Sequence, residues 1–78
     1  MMDCKELVLF IARSLVDNPD AVTVVEADSP SALTLELRVA PEDMGKVIGK
    51  QGRIAKSIRA VLKAATIKEP KPVFLEIV

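Results

Sequence analysis

At 78 residues, half of them hydrophobic, the chain has room for one domain and one core, burying roughly 60% of its unfolded surface. It has no His, Trp or Tyr, two Phe and a single Cys, which excludes an internal disulfide and a cysteine-rich metal site and leaves no histidine for proton transfer. Basic and acidic side chains balance at 11 each, so bulk composition points to no polyanion.

Cys4 to Val16 reads as a first helix, with Asp3 as N-cap and Cys4, Leu7, Val8, Ile11 and Leu15 on its buried stripe. Leu9 and Phe10 widen that stripe enough to suggest contact with a second subunit. Cys4 reads as a small half-buried hydrophobe in a reduced, intracellular setting. The run Leu7 to Ala12 is far short of a membrane span, and Asp3 and Glu6 are out of place in a signal peptide, so a cytoplasmic location is expected. Asp17-Asn18-Pro19-Asp20 supplies turn residues. Ala21 to Asp28 is β-rich, a loop of hairpin length follows through Ser31, and Leu33 to Val39 alternates with Leu33, Leu35, Leu37 and Val39 inward.

Pro41 opens the next helix where its missing N–H costs nothing, and Glu42 and Asp43 complement the positive helix end. Met44, Val47 and Ile48 recur at helical spacing, Gly49 and Gly52 bracket Lys50 and Gln51, and a third helix follows to about Ile67. Ile54, Ile58, Val61, Leu62 and Ala65 share one side of it, and Arg53, Lys56, Arg59 and Lys63 the other. Glu69-Pro70-Lys71-Pro72 makes an extended connector, and Val73 to Val78 a last strand pairing with Leu33 to Val39. The expected fold is α+β, order α-β-β-α-α-β, with three helices on a three-stranded mixed sheet, one domain over residues 1–78 and a helix-loop-helix at 41–67.

Neutrality conceals a division of charge. From Met44 to Lys68 stand Lys46, Lys50, Arg53, Lys56, Arg59, Lys63 and Lys68 with no acid, whereas all 11 acids lie elsewhere. Gly49 is suited to the left-handed turn closing one helix, and Gly52 to a close backbone approach where the next begins. A helix N-terminus flanked by Lys50 and Arg53 is a plausible seat for phosphate. By itself a G-x-x-G turn is equally a packing corner. A nucleotide P-loop is excluded, because three residues rather than four separate Gly45 from Gly49 and Gln51 stands where Ser or Thr should bind magnesium. No catalytic residues and no cofactor or metal ligands are expected, and the chain does not read as an enzyme. A double-stranded DNA reader of the helix-turn-helix kind, and a protein-binding adaptor using the basic face, remain as alternatives.

Ile48-Gly49-Lys50-Gln51-Gly52, followed by apolar Ala55 and Ile58, resembles the KH domain, and two strands before the loop with one after it resemble its type II arrangement. Over essentially the whole chain the sequence is similar to the small stand-alone bacterial KH-domain RNA-binding proteins of the KhpA kind. The resemblance implies that Gly49, Lys50, Gln51 and Gly52 clamp the sugar-phosphate backbone of about four nucleotides of single-stranded RNA while bases lie in an aliphatic groove. Arg53 and Lys56 would support phosphates, Ile48, Ala55, Ile58, Leu37 and Val39 would line the groove, and Arg38 would reach a base edge. With no aromatic residue near the loop, one copy should bind weakly and with low sequence selectivity. Avidity is then expected from a homodimer, or from a heterodimer with a larger KH-containing Jag-type protein, and the implied role is post-transcriptional regulation or RNA chaperoning.

Overall fold

A computed structural model describes residues 3–78. Helix α1 spans Cys4–Leu15, strands β1 and β2 span Thr23–Asp28 and Leu33–Arg38, helices α2 and α3 span Met44–Ile48 and Arg53–Ala65, and strand β3 spans Val73–Ile77. The α-β-β-α-α-β order and the mixed sheet agree with the sequence reading. β2 is central, antiparallel to β1 and parallel to β3.

Local chemistry sets most boundaries. The Asp3 carboxylate accepts the Glu6 N–H at 2.8 Å, capping α1, a bond worth about 1 kcal/mol. The helix ends where Val16 turns extended. Its deepest residues are Val8 and Ala12; Leu15 is exposed, so the stripe lies one position round from the expected one. Val8 and Ala12 both belong to the core cluster. Cys4 is half-buried against the core, as read, and burial, with the nearby Glu26 charge, pushes its thiol up.

Alternation along β2 is faithful: Leu35 and Leu37 are fully buried beneath the helices, while Thr34, Glu36 and Arg38 take the other face. With Val22, Val24, Val47, Ile58, Leu62 and Leu75 they complete one aliphatic core. Each fully buried leucine contributes about 2 kcal/mol of transfer free energy. In α3 the core residues are Ala55, Ile58 and Leu62, whereas Val61 and Ala65 are exposed. The helix stops at Ala65, short of Ile67, where Thr66 leaves helical geometry at φ −111° and ψ 16°, its hydroxyl and N–H both donating to the Leu62 carbonyl at 2.8 and 3.0 Å. Beyond it the connector is fixed by Lys71, which pairs with Asp28 and donates to the Ser29 carbonyl at 2.7 Å.

Candidate nucleic-acid interface

The loop at residues 49–52 is built from three positive φ angles. Gly49 has φ 77° and ψ 172°, a conformation open in practice only to glycine, and Gln51 and Gly52 follow at φ 59° and 73°. The Gly49 N–H donates to the Gly45 carbonyl at 2.9 Å and the Gly52 N–H to the Gly49 carbonyl at 3.1 Å, so the turn is closed on itself. Lys50 and Gln51 project from its tip, both exposed.

The two glycines exchange the roles assigned to them from sequence. A Cβ on Gly49 would lie 2.5 Å from Ile54 Cγ1 and 2.9 Å from its Cβ, so the close approach is here, between loop and α3. A Cβ on Gly52 would meet nothing within 4 Å; what Gly52 supplies is the left-handed backbone.

At 100° per residue Lys56, Arg59 and Lys63 fall within about 60° of one another on α3, with Arg53 about 60° further round. All four are exposed. This stripe starts at the loop and reaches an open cleft of about 850 Å³ between α3 and β3, bordered by Arg59, Lys63, Ile67, Lys71, Phe74 and Leu75. Within it Arg59 Nε donates to the Leu75 carbonyl at 3.3 Å. Neither β3 nor the cleft was anticipated as part of the site. The readable signal was the basic pair Arg59 and Lys63 on the side of α3 that must face the last strand.

Among the seven cations from Lys46 to Lys68, Lys46 stands apart, ion-paired with Asp17 and Asp43. Asp43 stands with Glu42 in the first turn, as expected, but its carboxylate is also engaged elsewhere. Its side chain caps nothing there and is fully buried, accepting bonds from Asp17 N–H at 3.2 Å, Asn18 N–H at 3.0 Å and Asn18 Nδ2 at 2.9 Å. Burial alone would push its carboxyl up, but the Asn18 side chain, the two N–H groups and Lys46 together hold it below the usual carboxylate range. Lys46 is in turn held above its ordinary value, first by its bond to Asp17.

The remaining candidates divide by depth. Ile48 is 37% exposed beside the loop, and Val39 is half-buried. Ile58, Ala55 and Leu37 are core residues, beneath the surface. Arg38 is exposed, but its place in the alternation puts it with Glu36 and Thr34 on the sheet face turned away from α2, α3 and the loop. A smaller, largely apolar groove, lined by Ile11, Leu15, Ile54, Ile58 and Val61 together with Arg53 and Ser57, runs between α1 and α3 on the flank opposite the cleft. Among the described residues no cluster of His, Cys, Asp and Glu is placed to hold a metal ion, and no helix is long and apolar enough to cross a membrane.

The KhpA/KhpB KH-domain family model matches residues 5–77. A protein of Clostridium perfringens named RNA-binding protein KhpA is 64% identical over 95% of this chain and 99% of its own length. A namesake from Caldanaerobacter subterraneus is 62% identical over 94% of this chain and 97% of its own. Among solved structures, an Era variant of Aquifex aeolicus superposes with a TM-score of 0.69 at 21% identity, over 95% of this chain and 29% of that longer one, a likeness of fold. Fold, loop and full-length relatives agree, and the chain belongs to the KhpA/KhpB KH-domain family.

Proposed function

We propose that the protein binds single-stranded RNA, gripping the sugar-phosphate backbone with Gly49-Lys50-Gln51-Gly52. The observation that carries this reading is continuity: the closed glycine loop with Lys50 at its tip runs directly into the exposed stripe of Arg53, Lys56, Arg59 and Lys63. The similarity to proteins named RNA-binding protein KhpA supports it. A phosphate approaching the loop meets Lys50 and Arg53, within a run from Met44 to Lys68 that holds no acidic residue. Ile48 offers an apolar surface beside the clamp, with Ala55 and Ile58 as its support from below. Bases then lie toward the cleft between α3 and β3.

With few phosphates neutralised, one copy binds weakly, and affinity is raised by a second RNA-binding surface, in another copy of this chain or in a larger KH protein of the Jag type. The apolar groove between α1 and α3 favours this, since it lies on the flank opposite the cleft and a partner there covers Arg53 but leaves Lys56, Arg59 and Lys63 free. RNA chaperoning or post-transcriptional regulation in the cytoplasm suits such low-selectivity binding, and the proposed role requires no catalysis.

The test compares the native chain with a Lys50→Asp, Gln51→Asp double variant on short single-stranded RNA, single-stranded DNA and duplex DNA across a salt series. Aspartate tolerates the left-handed backbone at position 51, so the variant keeps its fold, checked by a circular-dichroism melt. The native chain is expected to bind single strands with log affinity falling by about 0.7 per phosphate engaged against log salt, and the variant to lose binding. Equal RNA binding by the folded variant would overturn the clamp; preference for duplex DNA would favour a groove-reading helix.

A further inference from the structure

β3 is an edge strand, and its pairing shows which of its groups face outward. The Leu33 N–H donates to the Pro72 carbonyl and the Val78 N–H to the Leu37 carbonyl, each at the β2 side of the parallel ladder. In a parallel ladder alternate residues bond to one neighbour, so the N–H and C=O groups of Val73, Leu75 and Ile77 point to the open edge. Leu75 is the middle one. Its carbonyl already has a partner, Arg59 Nε at 3.3 Å.

That bond does more than satisfy a carbonyl. An exposed arginine at mid-helix normally samples many rotamers, but with Nε held on the strand edge this guanidinium is pinned in the cleft mouth. Its Nη1 and Nη2 groups remain as a planar two-donor fork. Lys56 and Lys63 flank it one turn away on each side and can serve the backbone phosphates, which leaves the fork for a base.

We propose that Arg59 is a specificity-determining residue, reading a base that presents two adjacent acceptors: guanine through O6 and N7, or cytosine through N3 and O2. Adenine sets an amino donor beside N7, and uracil separates its two carbonyls by an N–H, so neither matches the fork. The inference rests on the single-strand binding proposed above and narrows it. Selectivity is modest, because the site is open and contributes one contact.

The experiment uses the full chain and a seven-nucleotide uridine RNA carrying one central G, C, A or U, with Arg59→Lys as the variant. Lysine preserves the charge at an exposed position but not the fork. The native chain is expected to bind the G and C oligonucleotides about five- to tenfold more tightly than the A and U ones. Arg59→Lys is expected to bind all four with the affinity the native chain shows for uridine, at an unchanged salt slope. Equal native affinity for all four, or a preference that survives in Arg59→Lys, overturns the role of Arg59 and leaves RNA binding intact. Failure of the native chain to bind any of the four overturns the binding proposal itself, and this inference with it.

Discussion

Asn18 holds Asp43 twice, its backbone N–H at 3.0 Å and its side-chain Nδ2 at 2.9 Å both donating to the same carboxylate oxygen, Oδ2. The turn after α1 is thereby fastened to the residue that immediately precedes α2. Every buried side-chain polar atom among the described residues has a partner, and around Asp43 all of them but Lys46 come from residues 25 or more positions away. Asp43→Asn loses charge, acceptor capacity and the Lys46 pair at once. Its melting temperature is expected to fall by about 10 °C, measured by circular dichroism at neutral pH.

The same carboxylate sets an acid limit. Its folded pKa lies below the unfolded value, so its contribution to stability is present above about pH 4 and is lost as pH falls through the folded value. The native melting temperature should drop over that window, and Asp43→Asn should show a flatter acid limb. Lys46 has the opposite sign: raised in the fold, it stabilises at and below neutral pH and loses that contribution as pH rises through its folded value.

The glycines of the loop separate under alanine substitution. Gly49→Ala meets both a positive φ and the Ile54 side chain, and should cost at least about 2 kcal/mol by urea denaturation. Gly52→Ala meets only the backbone penalty, about 1 kcal/mol. Adding Ile54→Ala to Gly49→Ala removes two of the three clashing atoms. The double variant should therefore be more stable than the sum of its single effects, while Gly52→Ala and Ile54→Ala should add simply.

Gln51 holds φ 59° without glycine's freedom. A β-branched residue there is a worse fit, and Gln51→Val should destabilise by about 1 to 2 kcal/mol although it touches no core residue. Gln51→Asn, whose side chain suits that backbone, should equal or exceed native stability in the same urea titration.

Charge reversal along α3 separates phosphate contact from general attraction. Lys56→Glu, in the stripe between loop and cleft, should weaken single-strand RNA binding at least tenfold at low salt and reduce the salt slope by about one phosphate's share. Arg38→Glu, on the far sheet face, should change affinity by less than about threefold in the same titration.

Element order, sheet composition and the loop were legible because each leaves a local mark: alternation from Leu33 to Val39, helical spacing from Ile54, glycines around Lys50 and Gln51. The illegible features join distant segments. Asp43 beside Pro41 and Glu42 looks like one more acid at a helix start, and nothing local says that Asn18 will bury it. Arg59 looks like one cation among four, and only the closing of β3 against α3 gives it a carbonyl to hold. Depth was the other loss. Ile58 and Ala55 follow the loop at spacings that suit either a groove or a core, and in the fold both are buried.

The parallel pairing of β2 with β3 also makes the site depend on a long-range closure of the chain. Everything proposed to touch RNA lies in the crossover between those two strands, residues 39–72. Closing a loop of that length is among the most costly entropic steps this small sheet requires, and it comes before the long-range contacts can repay it. Until β3 docks, Leu75 offers Arg59 no carbonyl and the cleft has one wall. The binding surface is therefore complete only once β3 has docked, and a molecule whose final strand has not joined the sheet presents separate cations in place of an assembled site.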